Sequence, residues 1–270
     1  DLYKPEDLKL RPSVEDSPAV RRAYAGHMAM CTGVDKAFGW LMAKLEEKGL
    51  VDDTLVVFTS DHGDNLSSFG HTIPKIHPQD TSIRVPLLMR GPGLDSGHQS
   101  DLLFGALDIM PTLLGLLGHD IPETVQGLSL AKAIREGDDH AVPSVPLMYY
   151  APHWRGVYTR EHTYAFGESS KYIFGEGKKY QMSQHSVNCL YDHRRDPDQL
   201  DNLYGKTEHQ ALQARLHEET LAWMARFGDD MEATADVLKQ YVDKKGKRPN
   251  DTTDPDFAGR PIDIVRKRMG

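Results

Sequence analysis

The sequence predicts an α/β fold followed by a small antiparallel sheet, and three stretches carry that prediction. Tyr24, Met28, Cys31, Val34, Phe38, Leu41 and Leu45 recur at helical spacing from Ala19 onward, and Gly49 stops the helix. A short turn, Val51-Asp52-Asp53, then leads into the β-branched run Thr54-Leu55-Val56-Val57-Phe58-Thr59. Helix, tight turn and hydrophobic strand in that order predict a parallel sheet covered on both faces. The third stretch lies beyond Ala141-Val142-Pro143-Ser144-Val145-Pro146. There the chain breaks into short Tyr-rich pieces separated by turn residues, as an antiparallel sheet requires.

The remaining elements follow from the same rules. Residues Asp1 to about Ser17 are Pro-rich and polar and read as an extended entry segment. Arg84 to Arg90 is a second strand, closed by Gly91-Pro92-Gly93. Ile109, Leu113, Leu114 and Leu117 mark an amphipathic helix, with Pro111 in its first turn and Gly118 at its end. Strands are expected at Gly156–Thr159, Thr163–Phe166, Lys171–Phe174 and Cys189–Asp192. A helix from about Glu208 to Phe227 packs on them through Leu212, Leu216, Leu221 and Met224. The chain therefore divides into an α/β part over 1–142, a small α+β part over 143–242, and an extended tail over 243–270.

Composition excludes several function classes. With 39 % hydrophobic and 27 % charged residues, the 270-residue chain has an ordinary soluble balance. A net charge of -8 argues against nucleic acid as a partner. It leaves an anionic substrate open, because a metal and one lysine can dominate the field inside a cleft. No apolar run is long enough for a transmembrane segment. Cys31 and Cys189 are the only cysteines, with no CxxC, so a structural zinc site is not expected. The chain begins with Asp1, so it carries no information on targeting. Oligomeric state is likewise open.

The chemistry concentrates where the first strand ends, in Ser60-Asp61-His62-Gly63. Open α/β sheets place their sites at the carboxyl ends of strands. Adjacent strand residues point to opposite faces, so Asp61 and His62 reach one ion only if the strand has ended, and Gly63 supplies that turn. One oxygen and one nitrogen ligand suit Ca²⁺, Mg²⁺ or Mn²⁺, with further ligands from distant sequence. The residues alone also fit a turn with a capping Asp and an exposed His. Lys75, in the loop that follows, can neutralise a bound oxyanion. His71 and His77 flank it, and either is placed to protonate a leaving group. Solvated loop residues would read the same way.

Taken together, these motifs resemble the sulfatase family of the alkaline phosphatase superfamily. The run Leu55 to Gly63, Lys75 and Ser82-Ile83-Arg84-Val85-Pro86-Leu87-Leu88-Met89-Arg90-Gly91-Pro92-Gly93 match its strand, Ser-Asp-His-Gly, lysine and Arg-Val-Pro in order. The helix from Tyr24 to Leu45, Asp108 to Leu114, Gln126 to Leu130, Trp154 to Thr159 and Leu190 to Leu203 are similar to further family segments. The resemblance covers nearly the whole chain. It implies an alkaline-phosphatase-like sheet sandwiched by helices, of which residues 1–142 are the C-terminal part.

It also implies a sulfuric ester hydrolase acting on a sulfated small molecule or glycan. Asp61 and His62 would bind a divalent cation, usually Ca²⁺, with Lys75 on the sulfate and His71 as a catalytic residue. A formylglycine nucleophile is implied as well, within Cys/Ser-x-Pro/Ala-x-Arg. Ser17-Pro18-Ala19-Val20-Arg21 satisfies that string, but the Thr-Gly that follows in the family is missing, so the nucleophile is expected upstream of Asp1. The loop from Asp61 to Lys75 is about one residue longer than the family's, which leaves the role of His71 open. Tyr149, Tyr150, His153 and Trp154 are candidate pocket residues, or else packing residues of the small sheet. Family habit points to a periplasmic, extracellular or lysosomal setting. Two alternatives remain: a phosphodiesterase or phosphonate monoester hydrolase of the same superfamily, and a non-catalytic truncated homologue.

Overall fold

The computed structural model describes residues 2–71, 75–149, 154–167, 171–173, 179–181, 187–229 and 231. The expected tail over 243–270, with Tyr150 and His153, lies outside the described residues. The entry segment is less loose than its composition suggests. It forms a single 3-10 turn, Pro5–Asp7, and then runs alongside the loop after Asp61, where Val14 bridges Ser68 and Phe69 N–H donates to Ser13 O at 2.7 Å.

Helix α1 spans Pro18–Glu47. Ser17 caps it by accepting from Val20 N–H at 3.3 Å, Pro18 sits in the first turn, and Gly49 ends it at φ +66°. The Ser17–Arg21 string is thus the start of a helix. Arg21 within it pairs with Asp16 at 2.7 Å. The apolar stripe read from the sequence is present, but of its residues only Tyr24 is buried. Val34 and Leu41 are exposed, as is Trp40 beside them at 74 %. Phe38 meets Phe58 of the following strand edge-on at 5.3 Å.

Strand β1 (Val56–Thr59) pairs with β2 (Leu87–Arg90), and the pairing is antiparallel, Val56 opposite Arg90 and Thr59 opposite Leu87. The expectation of a parallel sheet covered on both faces is therefore corrected for these strands. A parallel neighbour needs a crossover connection. Among the described residues, the connection between β1 and β2 holds loop and the four-residue helix α2 (Asp80–Ile83), and the chain doubles back. Helices α3 (Ile109–Leu116) and α4 (Ala131–Glu136) follow. Asp108 ties them together, accepting from Leu128 N–H at 2.7 Å and Gly105 N–H at 3.1 Å.

The second sheet runs β3 (Ser144–Met148), β4 (Trp154–Thr159), β5 (His162–Gly167) and β8 (Cys189–Asp192), all antiparallel. A separate hairpin joins β6 (Lys171–Ile173) to β7 (Lys179–Gln181). Alternation along β4, β5 and β8 sends Val157, Tyr164 and Leu190 to one face, where they pack on Leu216 of helix α5 (Gln210–Phe227). Trp154, Ala165 and Cys189 face the other way and meet Ile76 and Ile83 of the loop region after β1. The buried line of α5 runs Leu212, Leu216, Thr220 and Trp223; Leu221, expected in it, is exposed at 43 %. Position 220 is four residues past 216 and continues the stripe, while 221 has turned away.

One buried ion pair fastens α5 to the sheet. Arg155 of β4 makes a bidentate pair with Asp229, just past the helix, with Nη2 to Oδ1 at 2.9 Å, and donates to Tyr149 O at 2.9 Å. Removing one partner of a buried pair strands the other charge. Asp229→Ala is expected to cost about 3 kcal/mol, read from the midpoint of urea unfolding. An unchanged midpoint would show that the pair is solvent-screened.

Candidate active site

Asp61 and His62 lie past the end of β1, where the chain is turning. The turn is held by Ser60 Oγ, which donates to His62 O at 2.9 Å, and by His62 N–H, which donates to Asp61 Oδ1 at 3.0 Å. Gly63 is required here for room, and its φ is not in the left-handed region. A Cβ on it would stand 2.2 Å from Thr81 O, and its N–H donates to Ser82 O at 2.8 Å. The turn is thereby clamped onto α2.

The tautomer of His62 follows from its partners. Nδ1 lies 2.8 Å from Gly63 O, an acceptor only, so Nδ1 carries the proton. Nε2 then presents a lone pair, and Lys75 Nζ donates to it at 2.9 Å. Asp61 Oδ2 is 3.4 Å from the same Nε2. Slight desolvation works against ionisation of Asp61, but the neighbouring imidazole and the hydrogen bonds from His62 N–H and Ser60 hold its carboxyl below the usual range. The Nε2 lone pair thus lies 2.9 Å from an ammonium on one side and 3.4 Å from a carboxylate oxygen on the other.

These three line a broad groove of about 2090 Å³, together with His77, Tyr149, Trp154 and Tyr158. His71 is not among the lining residues. Its ring stacks on that of His77, centroids 3.5 Å apart and 4° from parallel. Burial lowers the pKa of His71, and it brings His77, with His71 adding to the effect, to about 3. Both rings are therefore neutral near pH 7. Of the four residues proposed for a pocket wall, Tyr149 and Trp154 both line the groove, and Trp154 is largely buried, its Nε1–H donating to Ile76 O at 2.8 Å.

That hydrogen bond positions Lys75. Ile76 has φ +80°, a strained conformation for a β-branched residue, and persists only because its surroundings over-determine it. Trp154 holds its carbonyl, and its side chain packs against the sheet. Further supports come from Gln79, which donates to Tyr191 Oη at 3.3 Å, and from Asp80, whose N–H and carboxylate both engage Gln199. Arg11 of the entry segment donates to Asp64 O at 2.8 Å and Asn65 O at 3.1 Å. No local pattern in the sequence marks Arg11, Gln79 or Gln199 as supports, since each acts across more than fifty residues of chain.

For a metal, the donor set is partial. Asp61 and His62 fit a divalent cation in type, and the Gly63 carbonyl orients the imidazole as a second layer of ligation would. Among the described residues no group of three or more His, Cys, Asp or Glu side chains gathers around a common point. Neither cysteine suits a groove nucleophile: Cys31 is exposed on α1 and Cys189 is fully buried, with burial raising its thiol far above the usual range.

The sulfatase family model matches residues 3–119, and that of the N-sulphoglucosamine sulphohydrolase C-terminal region matches residues 74–226. The chain belongs to the sulfatase family. It is 31 % identical over 254 residues to an ulvan-active sulfatase of Formosa agariphila, covering 89 % of this chain and 47 % of the relative. It is 32 % identical over 263 residues to an endo-4-O-sulfatase of Bacteroides thetaiotaomicron, covering 90 % and 49 %. The chain thus spans about half the length of these relatives. A Bacteroides thetaiotaomicron structure described in the context of glycosaminoglycan metabolism superimposes with TM-score 0.69 at 28 % identity, covering 89 % of this chain and 50 % of the other. A phosphonate monoester hydrolase of Agrobacterium radiobacter shares the fold, with TM-score 0.62 at 22 % identity and coverages of 77 % and 42 %. No helix among the described residues is long and apolar enough to cross a membrane.

The buried His77 has a consequence for stability. Its pKa is depressed from 6.5 to about 3 in the fold, so below pH 6.5 the unfolded chain binds a proton that the folded chain does not. Stability is complete above that pH and falls as pH drops toward 3. At pH 5 the loss is about 2 kcal/mol. Urea unfolding at pH 7 and pH 5 measures it, and His77→Gln is expected to remove most of the difference. An equal difference in the variant would move the effect to other groups.

Proposed function

We propose that the chain contributes the cation-binding turn and sulfate-binding lysine of a sulfuric ester hydrolase acting on a sulfated glycan. The observation that carries this reading is the convergence of Asp61, His62 and Lys75 on one groove in a chain of this family. Two named relatives are an ulvan-active sulfatase and an endo-4-O-sulfatase, which favours a sulfated polysaccharide or oligosaccharide over a small aryl ester. A protein sharing the fold was solved with its substrate D-glucosamine-2-N,6-O-disulfate, a sugar of the same chemical class.

In this reading Asp61 and His62 Nε2 hold a divalent cation, of which Ca²⁺ is the family's usual choice. When bound, that cation polarises the sulfate oxygens. His62 is already in the tautomer that ligation through Nε2 needs. Lys75 then donates its protons to the sulfate rather than to His62, offsetting the charge that develops on the ester oxygens. His71, stacked on His77 in the loop that carries Lys75, is assigned in this reading to proton transfer toward the leaving group. The residues present do not fit the formylglycine nucleophile, and we place it in sequence preceding Asp1. We further propose that residues 1–142 belong to the catalytic α/β domain and 143–242 form a smaller unit whose sheet closes the groove.

The test is sulfate release from a sulfated oligosaccharide by the complete polypeptide, followed by ion chromatography. Lys75→Ala is expected to lower kcat/KM by about 100-fold, the loss typical of one transition-state donor. Calorimetric Ca²⁺ binding should weaken on Asp61→Ala. Hydrolysis of a phosphonate monoester in the absence of sulfate release would replace this reading with the phosphoryl-transfer one.

A further inference from the structure

The four-residue helix α2 holds the turn of Asp61 and His62 at two points. Ser82 O accepts from Gly63 N–H at 2.8 Å, and Thr81 Oγ1 donates to Asn65 Oδ1 at 2.7 Å. Thr81 O also closes the space beside Gly63, where a Cβ would stand 2.2 Å from it. So short a helix has little stability of its own. Its N-cap residue, Gln79, makes no side-chain cap. The cap comes instead from 119 positions along the chain, where Gln199 Oε1 accepts from Asp80 N–H at 2.7 Å.

Gln199 is shaped around that contact. It is 2 % exposed, and both ends of its amide are in use. Nε2 donates to Asp80 Oδ1 at 2.9 Å and to Thr163 Oγ1 of β5 at 3.2 Å. The amide therefore grips Asp80 by its backbone and its carboxylate at once, and ties both to the small sheet. Its backbone lies in the left-handed region, at φ +56°. The turn that sets this angle is braced: Gln199 N–H donates to Asp196 O at 3.0 Å, and Asp201 N–H donates to Asp196 Oδ2 at 2.7 Å. Outliers of this kind persist where their surroundings over-determine them, and they cluster near functional sites.

We propose that Gln199 is a positioning residue for the cation turn: by capping α2 from the small sheet, it fixes where Thr81 and Ser82 hold Gly63, and with Gly63 the side chains of Asp61 and His62. It acts through Asp80 and α2 and touches neither the groove nor a reacting group. The inference rests on the reading of Asp61 and His62 as cation ligands, and adds that the small sheet sets their register. Asp80 also accepts from Tyr158 Oη at 3.3 Å and Arg84 Nη1 at 3.5 Å and faces His193 through charge, so its carboxylate stays engaged when Gln199 is changed.

Calorimetric Ca²⁺ titration of the full chain tests the proposal, each variant being compared with wild type at the same pH. Gln199→Met keeps the length of the side chain and removes both polar atoms. It is expected to bind Ca²⁺ about tenfold more weakly, the lower end of what loss of an outer supporting contact costs. Gln199→Glu keeps an acceptor for Asp80 N–H but sets a carboxyl group against Asp80 Oδ1. The two share a proton in acid and repel once both are ionised, so this variant should recover toward wild type between pH 8 and pH 5.5. Leu212→Ala, which loosens α5 on the opposite face of the same sheet, should lower the melting temperature and leave Ca²⁺ affinity unchanged. Hydrogen exchange at Gly63 N–H needs no metal, and should quicken in Gln199→Met but not in Leu212→Ala. Wild-type affinity and exchange in Gln199→Met, or a Gln199→Glu chain no better than Gln199→Met at pH 5.5, overturns the positioning role and leaves the cation reading standing. A wild-type chain that binds no Ca²⁺ overturns the cation reading, and exchange at Gly63 then decides by itself whether Gln199 holds the turn.

Discussion

The hydrogen bond from the Trp154 indole to the Ile76 carbonyl is the contact on which the site's geometry depends. Lys75 has four rotatable side-chain bonds and sits on a loop, two properties that work against precise placement. Its neighbour Ile76 takes a positive φ, which no isolated loop would hold. The sheet holds it: Trp154 caps the carbonyl, and Ala165, Cys189 and Tyr191 provide the apolar floor on which Ile76 and Ile83 rest. The other face of the same sheet is occupied by α5, fastened through Arg155 and Asp229. The small sheet is thus a rigid plate between a helix on one side and a charged loop on the other. Strain at Ile76 is offset by packing at a distance from the groove.

The candidate site was legible in the sequence where its residues are neighbours in the chain. Asp61 and His62 follow a β-branched run, and Lys75 comes within the next loop; those facts need no tertiary information. The helices and most strands were legible for the same reason, through periodicity. What was not legible depended on partners. The parallel sheet expected around β1 is an antiparallel pair, because alternation and apolarity describe the burial of a strand and not the direction of its neighbour. The buried line of α5 passes through Thr220 and not Leu221, because Thr220 keeps the phase of Leu216 and satisfies its hydroxyl on the Leu216 carbonyl at 2.8 Å. His71 and His77 were indistinguishable as loop histidines until their stacking showed that only His77 reaches the groove wall. Gly63 was read as a turn former. Its real constraint is the Thr81 carbonyl, which comes from eighteen residues further along the chain.

Electrostatics shows the same separation of scales. The chain carries a net charge of -8, which describes how it meets a polyanion at long range. Lys75 and Arg84 line the groove as cations, and Asp80, behind the wall, accepts from Arg84 and from Tyr158. Within a Debye length, about 8 Å at physiological salt, these local charges outweigh the mean field. An acidic protein can therefore recognise an acidic ligand, provided that its cations are gathered and its anions are spent on holding them.

Lys75 gives that principle its sharpest form. In the structure its ammonium donates to His62 Nε2, the atom whose lone pair a cation would also use. The imidazole cannot serve both, since Nδ1 is committed to the Gly63 carbonyl. In the reading proposed above, a cation held by His62 Nε2 would take the lone pair that Lys75 now uses, leaving the ammonium to face the groove. The imidazole itself sits on a fixed turn, because Gly63 is clamped against Thr81 and Ser82.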